Sequence, residues 1–249
     1  MKNDGAIVVR EHPVVSHDEW LAARQAFLLR EKEFTRLRDE LNAERRALPW
    51  ERVTKQYVFD GPKGKQTLAD LFEGRSQLVI YHAMFNPREA TSKTSWTEDA
   101  ACHACSFWLD NVNGIITHLN HRDVTLIAVS RAPVAKITAY QRRMGWTFTW
   151  VSSDGGDFNF DYGVSFTAED IARRRTSYNY TLQEPPNTES PGVSVFYKDP
   201  SGQVFHTYST YSRGLDMLNV AYHYLDLVPK GRDEHGPHAM AWVRYHDSY

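Results

Sequence analysis

Hydrophobic positions recur along this chain with three different periods, and each period predicts a different element. From Ser16 to Leu48, residues Trp20, Phe27, Phe34, Leu41 and Leu48 recur every seven positions, with Ala23 and Leu37 between them. That spacing lays one apolar stripe along a helix roughly 45 Å long at 1.5 Å per residue. Ser16-His17-Asp18-Glu19 supplies a capping box, Val15 and Trp20 are placed as a hydrophobic staple, and Pro49 stops the helix. Arg30 and Glu44 interrupt the intermediate seam, which favours packing of this arm across its own domain over a coiled coil. A homodimer through the arm stays open as the other use of the stripe.

Beyond Pro49 the pattern shortens. Arg52 to Phe59 reads as a strand, followed by a Gly-Pro-Lys-Gly turn and a second short strand from Thr67 to Phe72. Gln77 to Phe85 is continuously apolar, as in a strand buried on both faces, and Asn86 to Ala101 is polar and reads as a loop. After Cys102, positions Cys105, Leu109, Val112, Ile116 and Leu119 follow helical spacing to about Asn120. Val124 to Ser130 is a second buried strand. Pro133 sits in the first turn of a helix ending near Gly145, and Trp146 to Ser153 reads as a further strand. Asp154 to Pro191 is less regular, with a short helix over Ala168 to Arg175. Val193 to Lys198 and Val204 to Thr210 flank Asp199-Pro200-Ser201-Gly202 as an antiparallel hairpin, and Gly214 to Leu227 is a last helix. The core order is strand, helix, strand, helix, hairpin, helix. With a right-handed crossover in its parallel unit, that order gives an α/β, thioredoxin-like fold: a central mixed sheet flanked by helices. It carries a long N-terminal helix (arm 1–50) and a C-terminal extension of the 51–249 domain.

At 249 residues the chain can bury one sizeable core. Lys+Arg 29 against Asp+Glu 31, a formal charge of -2, recruits neither nucleic acid nor an anionic membrane. The longest apolar run, Leu78 to Phe85, is too short to span a bilayer. Met1 to Arg10 lacks an apolar leader with a cleavage site, so a cytoplasmic protein is expected.

The two cysteines change the picture most. They lie in Cys102-His103-Ala104-Cys105, and a disulfide across so small a loop adds little stability, so the pair reads as chemical. Thiol–disulfide exchange runs through a thiolate, and Cys102 at a helix start meets unpaired N–H groups and the positive end of the helix dipole. Cys105 lies one turn deeper. Cys102 therefore attacks and Cys105 resolves. The redox-active Cys102–Cys105 disulfide serves in place of any cofactor, and a protein or small-molecule disulfide is the substrate. His103 stabilises the thiolate if protonated, or is a plain helix-start side chain. Ala104 completes the turn, and Trp108 flanks it, mainly as core packing. A zinc site would need two further ligands, and His235 and His238 are the nearest candidates, so no metal is expected.

The segments EWLAARQAFLLREKEFTRLRDELNAERRALPW (19–50), YVFDGPKGKQTLADLFEGRSQLVIYHAMF (57–85), CHACSFWLD (102–110) and VTLIAVSRAPVAKITAYQRRMGW (124–146) carry a resemblance. So do WVSSDGGDFNFDYGVSF (150–166), GVSVFYKDPSGQVFHTYSTYSRGLDMLN (192–219) and YLDLVPKGRD (224–233). Over nearly its whole length the chain resembles a bacterial family within the thioredoxin-like group, domain of unknown function 899, labelled as dithiol–disulfide oxidoreductases. The resemblance implies that Pro191 fills the place of the cis-proline that lies against the dithiol in that group, although Gly192 after it departs from the usual pattern. The segment 86–101 also departs, being long and polar, and His103 stands where proline is usual. Such an insertion either covers the dithiol or holds it in a mobile loop. Three alternatives stand beside the exchange enzyme. A thiol peroxidase is disfavoured by Asp99, three residues before Cys102, where a carboxylate would repel a thiolate. A copper or zinc carrier would use the cysteines with His82 or His206. A scaffold would work through the arm.

Overall fold

The structure is a computed structural model, and it describes residues 12–185, 187–234, 236 and 238–249. The N-terminal leader reading and His235 of the candidate ligand pair fall outside them. Along the chain run α1 (His17–Arg46), β1 (Glu51–Arg52), β2 (Val58–Gly61), β3 (Gly64–Thr67) and β4 (Gln77–His82). Then come α2 (His103–Leu109), α3 (Ile116–His121), β5 (Val124–Ser130), α4 (Val134–Arg143), β6 (Trp150–Ser152), α5 (Phe158–Asp161) and α6 (Ala168–Arg173). The chain ends with β7 (Thr176–Tyr178), β8 (Thr181–Gln183), β9 (Gly192–Lys198), β10 (Val204–Tyr211) and α7 (Val220–Leu225).

Eight strands form one sheet in the order β1-β10-β9-β4-β5-β6-β2-β3. β4 and β5 pair in parallel from Gln77↔Val124 to His82↔Val129, and β6 continues parallel on β5. On its other edge β4 takes β9 antiparallel, and β10 folds back on β9. The order β10-β9-β4-β5, two parallel strands joined through helices and then an antiparallel hairpin, is the thioredoxin-like arrangement. The apolar runs predicted for β4 and β5 are central because strands covered on both faces need no polar alternation.

The two sheet faces bury separate clusters. Tyr81, Ala83, Ala128, Trp150 and Val193 face one way, against Cys105 and Leu109 of α2 and Ile137 and Tyr140 of α4. Leu78, Ile80, Ile127, Val129 and Phe196 face the other, against Leu71, Phe72 and Phe158. Tertiary demands reshaped several expected elements. The helix expected from Cys102 to Asn120 is two short ones, α2 and α3, parted by turns at 110–115, where Asn111, Asn113 and Gly114 favour turn geometry. Trp146 and Phe148 are buried but outside β6, so that strand is shorter than expected. The β7–β8 hairpin escaped notice because its turn holds Asn179 and Tyr180, both at positive φ (51° and 60°), where Asn-Gly is the usual signal. The last helix is a 3₁₀ stretch, Ser212–Leu218, followed by α7.

The arm is the largest correction. The Ser16 capping box forms as expected, yet α1 has no buried residue. Trp20 (54%), Phe27 (53%), Phe34 (65%) and Leu41 (53%) all remain exposed, so the stripe does not dock on the domain. No helix among the described residues is long and apolar enough to cross a membrane.

Gly192 opens β9 where no side chain fits. A Cβ there would sit 2.7 Å from Tyr211 Cδ1 and 2.9 Å from Val164 Cγ1. Gly192→Ala is expected to destabilise the protein by about 1–3 kcal/mol through overpacking. Urea unfolding should show a lowered midpoint with an unchanged slope; an unmoved midpoint would contradict this close approach.

Candidate active site at a buried dithiol

The site is assembled where β4 ends and α2 begins, although a long polar segment separates them. Ala83 N–H still donates to Val129 C=O across the parallel pair, at 2.9 Å. The chain then leaves, returns, and Cys102 N–H donates to Met84 C=O at 2.9 Å. The segment folds over the dithiol: Trp96 is buried and its indole N–H donates to Asn86 C=O at 3.0 Å, while His103 N–H donates to Ser95 C=O at 3.3 Å. Of the two expectations for this insertion, it acts as a cover. The C-terminal tail adds to it, with Tyr245 O–H donating to Ala101 C=O at 2.9 Å.

Cys102 is the N-cap of α2, its Sγ accepting from Cys105 N–H at 3.5 Å. Cys105 Sγ accepts from Met84 N–H at 3.4 Å. Both are free thiols, and both are buried: Cys102 is 0% exposed and Cys105 1%. The helix start therefore lies inside the core. Burial pushes the Cys102 thiol up, but hydrogen bonds from the Cys105 thiol, the Ser95 side chain and the backbone amides of Cys105 and Ala104 outweigh it and bring it down to about 7. Burial pushes the Cys105 thiol well up, and the adjacent Cys102 adds to the rise. One sulfur thus carries the charge and the other holds the proton. Burial also lowers the His103 imidazole below its ordinary value, with the Ser95 carbonyl opposing and Arg244 adding to the fall. It is neutral at neutral pH, so the imidazolium role considered for His103 is not the one its surroundings favour.

A cavity of about 210 Å³ adjoins the pair, walled by Tyr81, Ala104, Cys105, Trp108, Pro191 and Met240 among others. Cys105 lines it; Cys102 does not. Trp108 packs in the core as expected, its indole N–H donating to Leu215 C=O at 2.8 Å, and forms part of the cavity wall as well. Pro191 reaches the dithiol's neighbourhood as the resemblance implied, with its carbonyl accepting from Tyr178 O–H at 2.8 Å, but its peptide bond is trans.

Sequence reasoning missed Glu189. It lies in the polar stretch before Pro191, with nothing there to distinguish it from a surface acid, yet it is 2% exposed. Its Oε2 accepts from Phe85 N–H at 3.0 Å; its Oε1 has no hydrogen-bond partner and stands 3.8 Å from Arg131 Nη1. Burial raises this carboxyl to about 8 despite Arg131, with Glu89 and the nearby Cys102 also pushing upward.

Other candidates lie elsewhere. His82 and His206 are on the opposite sheet face, His82 bonding Ser194 Oγ at 2.9 Å and packing on Phe158, His206 packing on Phe196. They cannot join the cysteines around a metal, and among the described residues no group of three His, Cys, Asp or Glu side chains could hold one. Asp99 turns outward to Lys136, so the repulsion expected of it does not act on Cys102.

A dithiol at this strand–helix junction, in a sheet of this order, defines a thioredoxin-fold protein with paired thiols. The chain belongs to the bacterial family of unknown function DUF899, whose family model matches residues 9–249. No curated protein matches the sequence. Solved structures similar to it include peroxidoxin BcpB from Mycobacterium tuberculosis, at 12% identity over 68% of this chain and 92% of that one, TM-score 0.43. Peroxiredoxin Q from Xanthomonas campestris is 16% identical over 72% of this chain and 99% of its own, TM-score 0.41. The mitochondrial 2-Cys peroxiredoxin from Plasmodium falciparum is 13% identical over 72% and 95%, TM-score 0.40.

The buried carboxyl makes a pH prediction. Because Glu189 titrates at about 8 when folded against an ordinary 4.5, the folded state binds the extra proton in between. Its penalty is absent below about 4.5, grows as pH rises, and is complete above about 8, on the order of 5 kcal/mol. The native protein should therefore lose stability relative to Glu189→Gln between pH 5 and 8, while His82, held down to about 3 by burial, adds the opposite slope to both proteins below about 6.5. Cys102 acts in the opposite sense at higher pH, and because its charge interacts with Glu189 the substitution shifts its titration as well. Equal slopes would place the pH dependence elsewhere.

Proposed function

We propose that the protein is a thiol–disulfide oxidoreductase for small-molecule substrates, in which Cys102 and Cys105 pass between dithiol and intrachain disulfide. The observation that carries this reading is the pairing of a lowered thiol, Cys102, with a second thiol on the wall of a mostly apolar cavity. Both sulfurs are covered, and the cavity beside them touches Cys105 but not Cys102, so it suits a small disulfide rather than a protein one, and the substrate reaches Cys102 only past Cys105. Cys102 thiolate attacks one sulfur of the substrate disulfide and expels the other as a thiolate. Cys105 then attacks Cys102 Sγ, releasing the bound half, and its proton passes to a departing thiolate. Two electrons leave the pair, and the substrate becomes one thiol and one thiolate, which takes a proton from solvent.

A second reading, thiol peroxidase, is favoured by one specific feature: the Ser95 hydroxyl is among the groups that favour the ionised form of Cys102. There the thiolate would break a hydroperoxide O–O bond to give an alcohol and a sulfenic acid, and Cys105 would close the disulfide with loss of water.

Bis(2-hydroxyethyl) disulfide offers a small probe. In Cys105→Ser it should leave a mixed disulfide on Cys102, detected by intact mass, at a rate rising with pH as Cys102 ionises. Cys102→Ser should give none. Trapping only in Cys102→Ser would make Cys105, the sulfur on the cavity wall, the nucleophile. Faster oxidation by cumene hydroperoxide than by the disulfide would favour the peroxidase. Reaction with neither reagent would sink both readings.

A further inference from the structure

The most conspicuous unpartnered feature is α1, thirty residues long and without a buried side chain. We infer that it pairs with the same helix of a second copy, in parallel and in register, as a short two-stranded coiled coil. Taking Trp20, Phe27, Phe34 and Leu41 as the first seam position of each heptad puts Ala23, Arg30, Leu37 and Glu44 at the second.

The flanking charges select the partner and its direction. On one side of the seam stand Glu19, Ala26, Glu33 and Glu40; on the other stand Arg24, Glu31, Arg38 and Arg45. In a parallel pair each residue of the first row meets the residue five positions later in the other helix. This sets Glu19 against Arg24 of the partner subunit, Glu33 against Arg38 of the partner subunit and Glu40 against Arg45 of the partner subunit. An antiparallel pair would instead face glutamates with glutamates along one flank and mostly arginines with arginines along the other. Only the parallel pair is complementary to itself.

The two polar seam residues face their own copies across the axis, Arg30 on Arg30 of the partner subunit and Glu44 on Glu44 of the partner subunit, and each is offset by a flanking charge of the opposite sign. A residue at the second seam position packs beside the first flanking residue that follows it on the opposite helix. Arg30 therefore meets Glu31 of the partner subunit, and Glu44 meets Arg45 of the partner subunit. Glu31 is also the flanking charge left over by Ala26; within its own helix it bonds Arg24 at 2.7 Å, and in the pair it is shared with Arg30 of the partner subunit. The two-fold axis of such a pair makes one self-complementary patch sufficient for closure. Four apolar first-position layers, Trp20, Phe27, Phe34 and Leu41, then leave solvent together.

The full chain should sediment as a dimer of twice 28.7 kDa, about 57 kDa. Phe27→Asp with Phe34→Asp should give a monomer whose body, followed by near-ultraviolet circular dichroism, stays folded. A second pair of variants guards against simple loss of the helix. Glu33→Lys should also weaken the dimer, and adding Arg38→Glu should restore it, because that parallel pair is re-formed with exchanged signs. Ala23→Cys should oxidise to a covalent dimer, since matching second-position residues are neighbours only in the parallel register. A native monomer, a dimer indifferent to the Phe27 and Phe34 changes, failure of the exchanged charges to restore it, or no Ala23→Cys cross-link would each overturn the inference.

Discussion

The hydrogen bond from Cys102 N–H to the Met84 carbonyl is the closure on which the site depends. In a shorter connection the strand would deliver the cysteine to the helix start directly. Here the polar stretch between them could carry the two ends apart. Closing a longer loop costs only slowly more, as the logarithm of its length, so one well-placed tie between its ends is enough to hold the junction. Once held, the excess chain becomes useful as a cover. Trp96 goes inward, Ser95 reaches the Cys102 sulfur, and Tyr245 of the tail bonds to Ala101. The same tie that places the dithiol therefore also decides what can reach it.

Closure has an electrostatic consequence. A buried charge is costly unless hydrogen bonds replace its water, and two buried groups here have very different shares of such bonds. Cys102 receives the backbone amides of Cys105 and Ala104 together with the Cys105 and Ser95 side chains, and its ionised form is favoured. Glu189 has one amide, from Phe85, and a guanidinium no nearer than 3.8 Å, and its ionised form is disfavoured. The negative charge of Cys102 adds to the rise at Glu189. At neutral pH the site thus prefers to hold its negative charge on sulfur and its proton on the carboxyl.

The parts of this arrangement that sequence made legible are those governed by local pattern. Continuous apolar runs marked β4 and β5, the capping box marked the start of α1, and the spacing of Cys102 and Cys105 marked the junction. What escaped depends on contacts between distant segments. Nothing local distinguishes Glu189 from the exposed acids of the chain; its burial follows from where residues 189–191 pass beneath Phe85. The burial of Cys102 is likewise set by the returning loop and the tail. The metal reading failed for a simpler reason: alternation along a strand sends His82 to the face opposite Tyr81, and residues around the dithiol share the Tyr81 face.

The exposure of the arm follows from the same economy of faces. An amphipathic helix docks when the domain offers it an apolar face at the right place, and both faces of this sheet are already covered. One sheet face is covered by α2, α4 and the tail, where Trp242 packs edge-on to Phe107 and Tyr245 against Tyr140. The other is covered by Leu71, Phe72 and Phe158. With both faces filled by nearer segments, the stripe from Trp20 to Leu41 finds no seat within its own chain. Its seven-residue period matches the geometry of another helix better than that of a sheet. The C-terminal extension and the N-terminal helix are thus linked through the core: by sealing the dithiol face, the tail leaves the helix with its apolar side in solvent.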